Sequence, residues 1–197
     1  MTYKTIEILP YNPAWPQWFE VVKLQLSGCL GNLALSIDHI GSTSVPGLGA
    51  KDRIDVQVTV GEITLEMKAS VDCAFRGAGL GETEFSKDHR PPLDSHSEDD
   101  WQKLYLSFMK ETPGCSFYSN IHIRTKGNAN QIYPLLFRDY LRSHPSAAAA
   151  YQQMKEKLAE YHPHNIQAYC EIKDPACDII MTAAQDWAMR VSWRPTV

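Results

Sequence analysis

Twelve residues separate Gly41-Ser42, in the stretch HIGSTSVPGLG, from Asp55, in RIDVQVTV. A glycine before a hydroxyl residue in a short turn lets backbone N–H groups and the hydroxyl approach phosphate oxygens, because no Cβ stands in the way. A carboxylate on the strand that follows is placed to hold Mg²⁺ on the same phosphates. An aspartate inside a run of valine and isoleucine goes against strand preference and asks for such a reason, the plain alternative being a surface carboxylate on a strand edge. Lys51 lies just ahead of that strand, as a point charge within reach of phosphate or as a solvated lysine. Gln57, the next residue on the Asp55 face, is a neutral amide and not an acid. It reads as a contact to substrate or to a hydrated cation, or as part of a solvated strand face.

A second group sits in FYSNIHIR, where Asn120, His122 and Arg124 alternate onto one face. That face suits an anion or base role, with His122 as candidate general base, against the reading of a structural histidine. Arg138 and Arg142 are four apart and share one helix face, able to clamp phosphate or a substrate carboxylate or to pair with surface acids. Asp139 falls on another face and is expected in a salt bridge elsewhere. Tyr169 and Lys173 share a helical face near the end of the chain, with packing and solvation as the alternative to substrate contact.

These groups need elements to hold them. Tyr3 to Leu9 reads as a short strand, and YNPAWPQWFEVVKLQL starts a helix near Asn12-Pro13 with Trp15, Trp18, Phe19, Val22 and Leu26 at helical spacing. LALSIDHI is a strand leading into the Gly/Ser/Pro turn, and RIDVQVTV alternates, with Ile54, Val56, Val58 and Val60 on one face and Arg53, Asp55, Gln57 and Thr59 on the other. Ile63 to Ala78 reads as a helix. The polar stretch ETEFSKDHRPPLDSHSEDD reads as a loop, a candidate lid in which His89-Arg90 can close on a ligand and Glu98 to Asp100 are solvated. KLYLSFMK and FYSNIHIR form an antiparallel pair around ETPGC. From Asn130 the period becomes helical, with a break at Pro145. The expectation is one α+β domain: a mixed sheet flanked by helices over residues 1–128, and a helical C-terminal part over 129–197 that closes a cleft.

With 19 basic and 23 acidic residues, the net charge of −4 provides no global positive field for a polyanion, which argues against nucleic acid as partner. Five widely spaced cysteines with no CxxC pair argue against a disulfide framework and a zinc site, and are expected as buried thiols. No run approaches the ~20 apolar residues that span a bilayer, and the N-terminus lacks a signal peptide's basic flank and apolar run. A cytoplasmic setting without membrane association is expected.

The segments HIGSTSVPGLGAKDRID, YNPAWPQWF, IHIR, FRDYLRSHP and AYCEIK, in that order, resemble the GrpB family over about residues 8 to 190. Members of that family resemble nucleotidyltransferases in fold, and a related unit looks like the domain fused to dephospho-CoA kinase in some bacteria. The matching positions are His39, Gly41, Ser42, Thr43, Ser44, Pro46, Gly47, Lys51 and Asp55, then His122, Arg124, Arg138, Asp139, Tyr140, Arg142, Tyr169 and Lys173. Departures are Gln57 and Asn120, the latter where a family histidine is common. The resemblance implies a nucleotide-using enzyme with ATP and Mg²⁺ as cofactors, which transfers AMP to a small-molecule acceptor. One version activates a carboxylate as an adenylate for amide formation. In that reading Asp55 holds metal, Gly41, Ser42, Thr43, Ser44 and Lys51 hold nucleotide, and Gln57, Asn120, Arg124, Arg138, Arg142 and Lys173 contact substrate. The alternative is a non-catalytic module that binds a phosphorylated or carboxylate metabolite or a protein partner.

Overall fold

The computed structural model describes residues 5–112 and 115–195. Its ten regular elements among these are α1 (Trp15–Leu30), β1 (Ser36–Ile40), β2 (Arg53–Val60), α2 (Leu65–Gly77), β3 (Glu84–Lys87), β4 (Gln102–Thr112), β5 (Cys115–Thr125), α3 (Ala129–Ser143), α4 (Pro145–Tyr161) and α5 (Ile166–Val191). The strands make one mixed sheet in the order β1-β2-β5-β4-β3. Only the central β2–β5 pair is parallel; β1–β2, β5–β4 and β4–β3 are antiparallel. Flanking helices and a helical C-terminal third complete the α+β arrangement expected from the sequence.

The alternation of β2 fixes the two faces. Ile54, Val56, Val58 and Val60 are fully buried and meet Ile121, Ile123 and Leu104 on one side, against Trp15, Phe19, Val22 and Leu26 of α1 and Val71 and Phe75 of α2. Each such aliphatic side chain contributes about 1.5–3 kcal/mol by leaving water. Trp15 keeps its one donor satisfied, because its indole Nε1–H donates to Asp52 at 2.7 Å and so ties α1 to the loop ahead of β2. Trp18 sits at the margin of the stripe, stacked on Phe117 at 4.8 Å.

The opposite face is polar. Register aligns Asp55 with Asn120, Gln57 with His122 and Thr59 with Arg124, and continues from Asn120 and His122 to Ser107 and Tyr105 on β4. This face is covered rather than solvated: Gln57 and Thr59 are fully buried, and α3 lies over them. Asp55 and His122 therefore share a face, as the arrangement requires.

Four expectations change, three in the chain's course and one in its cysteines. The N-terminal strand reduces to a single bridge, in which Leu9 and Ala50 exchange backbone hydrogen bonds of 2.8 and 2.9 Å before Pro10 ends the pairing; the start of that predicted strand lies outside the described residues. Glu84–Lys87, read as loop, is the edge strand β3, too short for periodicity to reveal. The residues after it are held fast and do not form a free lid: His89 Nε2 lies 2.8 Å from Asp178 of α5, Arg90 donates to Asp94, Glu98 and the His96 carbonyl, and Ser97 and Asp100 form a capping box. Pro113 and Gly114 of the expected β4–β5 turn lie outside the described residues. Among the described cysteines Cys177 is buried, whereas Cys73 is exposed on α2 and Cys29 and Cys170 are half-buried.

Candidate functional site

Gly41 ends β1 and opens the turn with φ +71° and ψ −175°, a conformation open in practice only to glycine. Space demands glycine as well, since a Cβ here would stand 2.5 Å from Asp55 Oδ2. The turn thus closes directly onto the carboxylate, and the two halves of the sequence pattern meet.

The other oxygen of Asp55 is anchored. Asn120 Nδ2 donates to Oδ1 at 2.7 Å, while Asn120 Oδ1 accepts from Tyr105 Oη at 2.9 Å and from Arg53 Nη1 at 3.2 Å. Donors on its oxygen side orient the amide so that its N–H groups must face Asp55. His122 Nε2 lies 3.7 Å from the same Oδ1, and on the far side of the ring Lys103 Nζ lies 3.1 Å from Nδ1. An ammonium only donates, so Nδ1 is the acceptor and Nε2 carries the proton toward Asp55. Burial pulls His122 down to about 4, helped by the Arg124 and Lys103 cations and opposed by Asp55, so the ring is neutral at pH 7. Burial alone would raise Asp55, but the His122 and Asn120 contacts and the Lys51 charge outweigh it and keep the carboxyl below its ordinary value. Asp55 is an ionised carboxylate, 31% exposed at its side chain, with one oxygen held and the other turned to the Gly41 turn.

The turn's hydroxyls divide. Thr43 and Ser44 are buried and serve the turn itself: Ser44 Oγ donates to the Gly41 carbonyl at 2.6 Å, and Thr43 Oγ1 lies 2.9 Å from His39 Nε2. Both hydroxyls are thus bonded within the protein and shape the turn, so neither is free for the ligand contact expected of it. Ser42 is half-buried, and its Oγ accepts from Lys155 Nζ at 2.9 Å. Lys51 Nζ sits 4.9 Å over the Tyr169 ring.

Gln57, Arg124 and Arg138 are spent on the fold. Gln57 Nε2 donates to the Gln131 carbonyl at 3.0 Å and its Oε1 accepts from Arg124 at 2.7 Å, so it is neither a cation ligand nor a substrate contact. Arg124 closes on Asp88 through Nε at 2.8 Å and Nη2 at 3.0 Å. Arg138 donates to the His39 carbonyl at 3.0 Å and to its neighbour Asp139 at 2.7 Å, bracing α3 against β1. All three were expected to meet substrate; Gln57 and Arg124 lie buried on the sheet face under α3, and Arg138 is on the buried side of α3 itself. Arg142, 41% exposed at its side chain, donates twice to the Ser44 carbonyl and lines a shallow groove between Pro46–Leu48 and Gln152. Lys173 pairs with Asp174. Asn120 orients Asp55, a different task from substrate contact.

Asp88, Lys103 and Lys155 join the residues that the motifs pointed to. Asp88 follows β3 in a stretch with no pattern. Lys155 did carry a signal: with Tyr151, Leu158 and Ala159 it occupies the buried face of α4, where a lysine is out of place. Among the described residues no three His, Cys, Asp or Glu side chains come together as metal ligands. Asp55 alone fits a cation whose other ligands arrive with a phosphate chain, the way Mg²⁺ is commonly held.

A mixed five-stranded sheet carries a glycine turn closed on a strand aspartate, with α3 over its polar face and α4 and α5 packed on α3. The chain matches the family model described as GrpB protein over residues 5–183 and belongs to the GrpB family. It is similar to the solved structure of conserved protein GrpB from Enterococcus faecalis, at 30% identity and a TM-score of 0.68, covering 92% of this chain and 99% of that one. The UPF0157 protein BH1888 of Halalkalibacterium halodurans is 31% identical over 180 residues, 91% of this chain and 83% of that protein. A protein named Dephospho-CoA kinase from Mycolicibacterium paratuberculosis is 29% identical over 202 residues; the match takes in 96% of this chain but 48% of the kinase, so the chain spans about half of that relative's length. No helix among the described residues is long and apolar enough to cross a membrane.

Proposed function

We infer that the protein is a nucleotide-dependent enzyme that transfers AMP from ATP to a small acceptor, with a carboxylate as the acceptor the site suits best. The observation that carries this reading is the contact of Gly41 with Asp55 Oδ2, where a Cβ would stand at 2.5 Å. It brings a backbone turn open to phosphate oxygens against an ionised carboxylate, in a family whose sequence pattern resembles nucleotidyltransferases. Asp55 together with phosphate oxygens would hold Mg²⁺, which draws off charge from the phosphates.

The chemistry balances without an added base. A carboxylate oxygen of the acceptor bonds to the α-phosphorus, and the bond from that phosphorus to the bridging oxygen breaks, its electron pair leaving with pyrophosphate. A carboxylate is already deprotonated at neutral pH, so no proton transfer is asked of His122, whose N–H points to Asp55. An amine can then displace AMP from the adenylate: the C–N bond forms, the C–O bond to AMP breaks, and the amine releases a proton. His122 and Asn120 act as positioning residues that hold Asp55. Lys51 and the Ser42 hydroxyl offset charge on the phosphates.

A second reading has its own support in Gln57, which is buried and bonded at both ends and leaves one carboxylate where two would hold metal firmly. On this reading the chain binds a phosphorylated metabolite without turning it over. Calorimetry with a panel of nucleotides, with and without Mg²⁺, followed by detection of pyrophosphate release with carboxylate acceptors, decides between them. Binding with release supports the enzyme, binding alone the module, and no binding by any nucleotide removes the first reading.

A further inference from the structure

Lys155 is 3% exposed, deep in the interface between α4 and the turn. Its Nζ donates to Ser42 Oγ at 2.9 Å and to the Gly49 carbonyl at 2.6 Å, and passes 4.8 Å from the centre of the Tyr151 ring. Both hydrogen-bond acceptors are neutral, and among the described residues Lys155 makes no ion pair. One turn earlier on the same helix, Gln152 Oε1 accepts from the Gly49 N–H at 2.8 Å. Helix α4 therefore grips the loop at Ser42 and again at Gly49, and at Ser42 it does so with a lysine where an amide or a hydroxyl would serve packing equally well.

A buried ammonium with only neutral partners is costly. Burial brings Lys155 down to about 7, and the nearby Lys173 and Lys51 push the same way. The groups that face it are Lys51 from the loop before β2, Tyr151 and Glu156 on α4, and Lys173 and Cys177 on α5. Lys51 is likewise held low, first by burial, and makes no ion pair among the described residues. Lysines from three separate elements thus converge behind Ser42. Asp174 is the only carboxylate bonded to any of them among the described residues. Asp55 acts on Lys51 and Glu156 on Lys155 only through space, so neither of these two lysines has a bonded counter-charge among the described residues, and an anion entering at Ser42 supplies one.

We propose that Ser42, Lys51 and Lys155 form an oligophosphate subsite, in which Lys155 acts as a positioning residue through the Ser42 hydroxyl and as the cation that answers the outer phosphates. The subsite rests on the reading of the Gly41 turn as a phosphate site and deepens it by naming the ligand part it takes. Lys155 shifts toward its charged form when the anion enters, so binding takes up a proton.

The test is calorimetric titration of the full chain with inorganic tripolyphosphate, without metal, at about pH 8, in two buffers of different ionisation enthalpy. The wild type is expected to bind with uptake of most of a proton. Lys155→Met is expected to lose about tenfold or more in affinity and to lose the uptake, and Lys51→Met to lose affinity with the uptake from Lys155 retained. A purely packing role for Lys155 leaves proton uptake unmoved, so uptake that persists in Lys155→Met overturns the proposal, as does wild-type affinity in that variant. Should Lys155→Met fail to fold, wild-type affinity in Lys51→Met, or no tripolyphosphate binding by the wild-type chain, overturns it instead. If tripolyphosphate binds as described but no nucleotide does, the subsite stands and the nucleotide reading falls. If ATP binds with no dependence on Lys155 or Lys51, the reverse holds.

Discussion

Asp55 has one oxygen tied down by Asn120 and His122 and one pressed to a glycine, and each tie has a separate physical origin. Gly41 is the most sensitive point, because substitution meets two obstacles at once: a backbone conformation reserved for glycine and a carboxylate oxygen 2.5 Å from the new Cβ. Gly41→Ala should cost about 1–3 kcal/mol by denaturant unfolding and displace Asp55 enough to abolish phosphate-ligand binding; a variant that binds like the parent would show that the contact is incidental. Gly41, Ser42 and Asp55 were legible in the sequence, since a turn glycine and an aspartate in an aliphatic strand both depart from what local structure prefers. Gln57, Arg124 and Arg138 were read as ligand contacts for the opposite reason. Alternation, or for Arg138 helical spacing, puts a side chain on a face, but what covers that face is set by residues far along the chain.

At the scale of elements, the polar face of the sheet is sealed by a network centred on Asp88. Asp88 accepts from Lys103 at 2.5 Å, from Arg124 at 2.8 and 3.0 Å, and from Asn130 at 3.1 Å, joining the segment after β3 to β4, β5 and α3. Burial opposes its charge, but Arg124 and Lys103 override burial and hold the carboxyl far below the ordinary range. Asp88→Asn leaves two buried cations without their anion and should cost about 3–5 kcal/mol. Because the folded pKa lies below the unfolded value, this contribution is complete above about pH 4 and drains away at lower pH, so the gap between wild type and variant should narrow in acid unfolding. A gap that stays constant to pH 2 would contradict the assignment. The strands β2, β4 and β5 and the five helices were readable because their periods are long and clear. The four-residue β3 and the tethered loop were not, because their order comes from contacts such as His89 with Asp178 that have no local signature.

In the molecule as a whole, α3 packs on the polar face of the sheet with α4 and α5 behind it, and Lys155 is where α4 meets the Gly41–Gly49 turn. Its buried charge has a global signature. The unfolded lysine keeps its proton up to about pH 10.5 while the folded one releases it near 7, so the unfolded chain binds more protons between these values and stability rises with pH through that window. Denaturation at several pH values should give a slope shallower by about one proton in Lys155→Met; equal slopes would mean that the lysine is not titrating there. Whether Asp55 beside the Gly41 turn holds the cation of a nucleotide is read most simply from ATP affinity of the wild type and of Asp55→Asn, each with Mg²⁺ and with chelator. Mg²⁺ is expected to strengthen binding to the wild type by about tenfold or more and to do nothing for the variant, whose fold and metal-free binding persist while turnover is lost. An Asp55→Asn protein that binds ATP with the same gain from Mg²⁺ as the parent would contradict that role for Asp55.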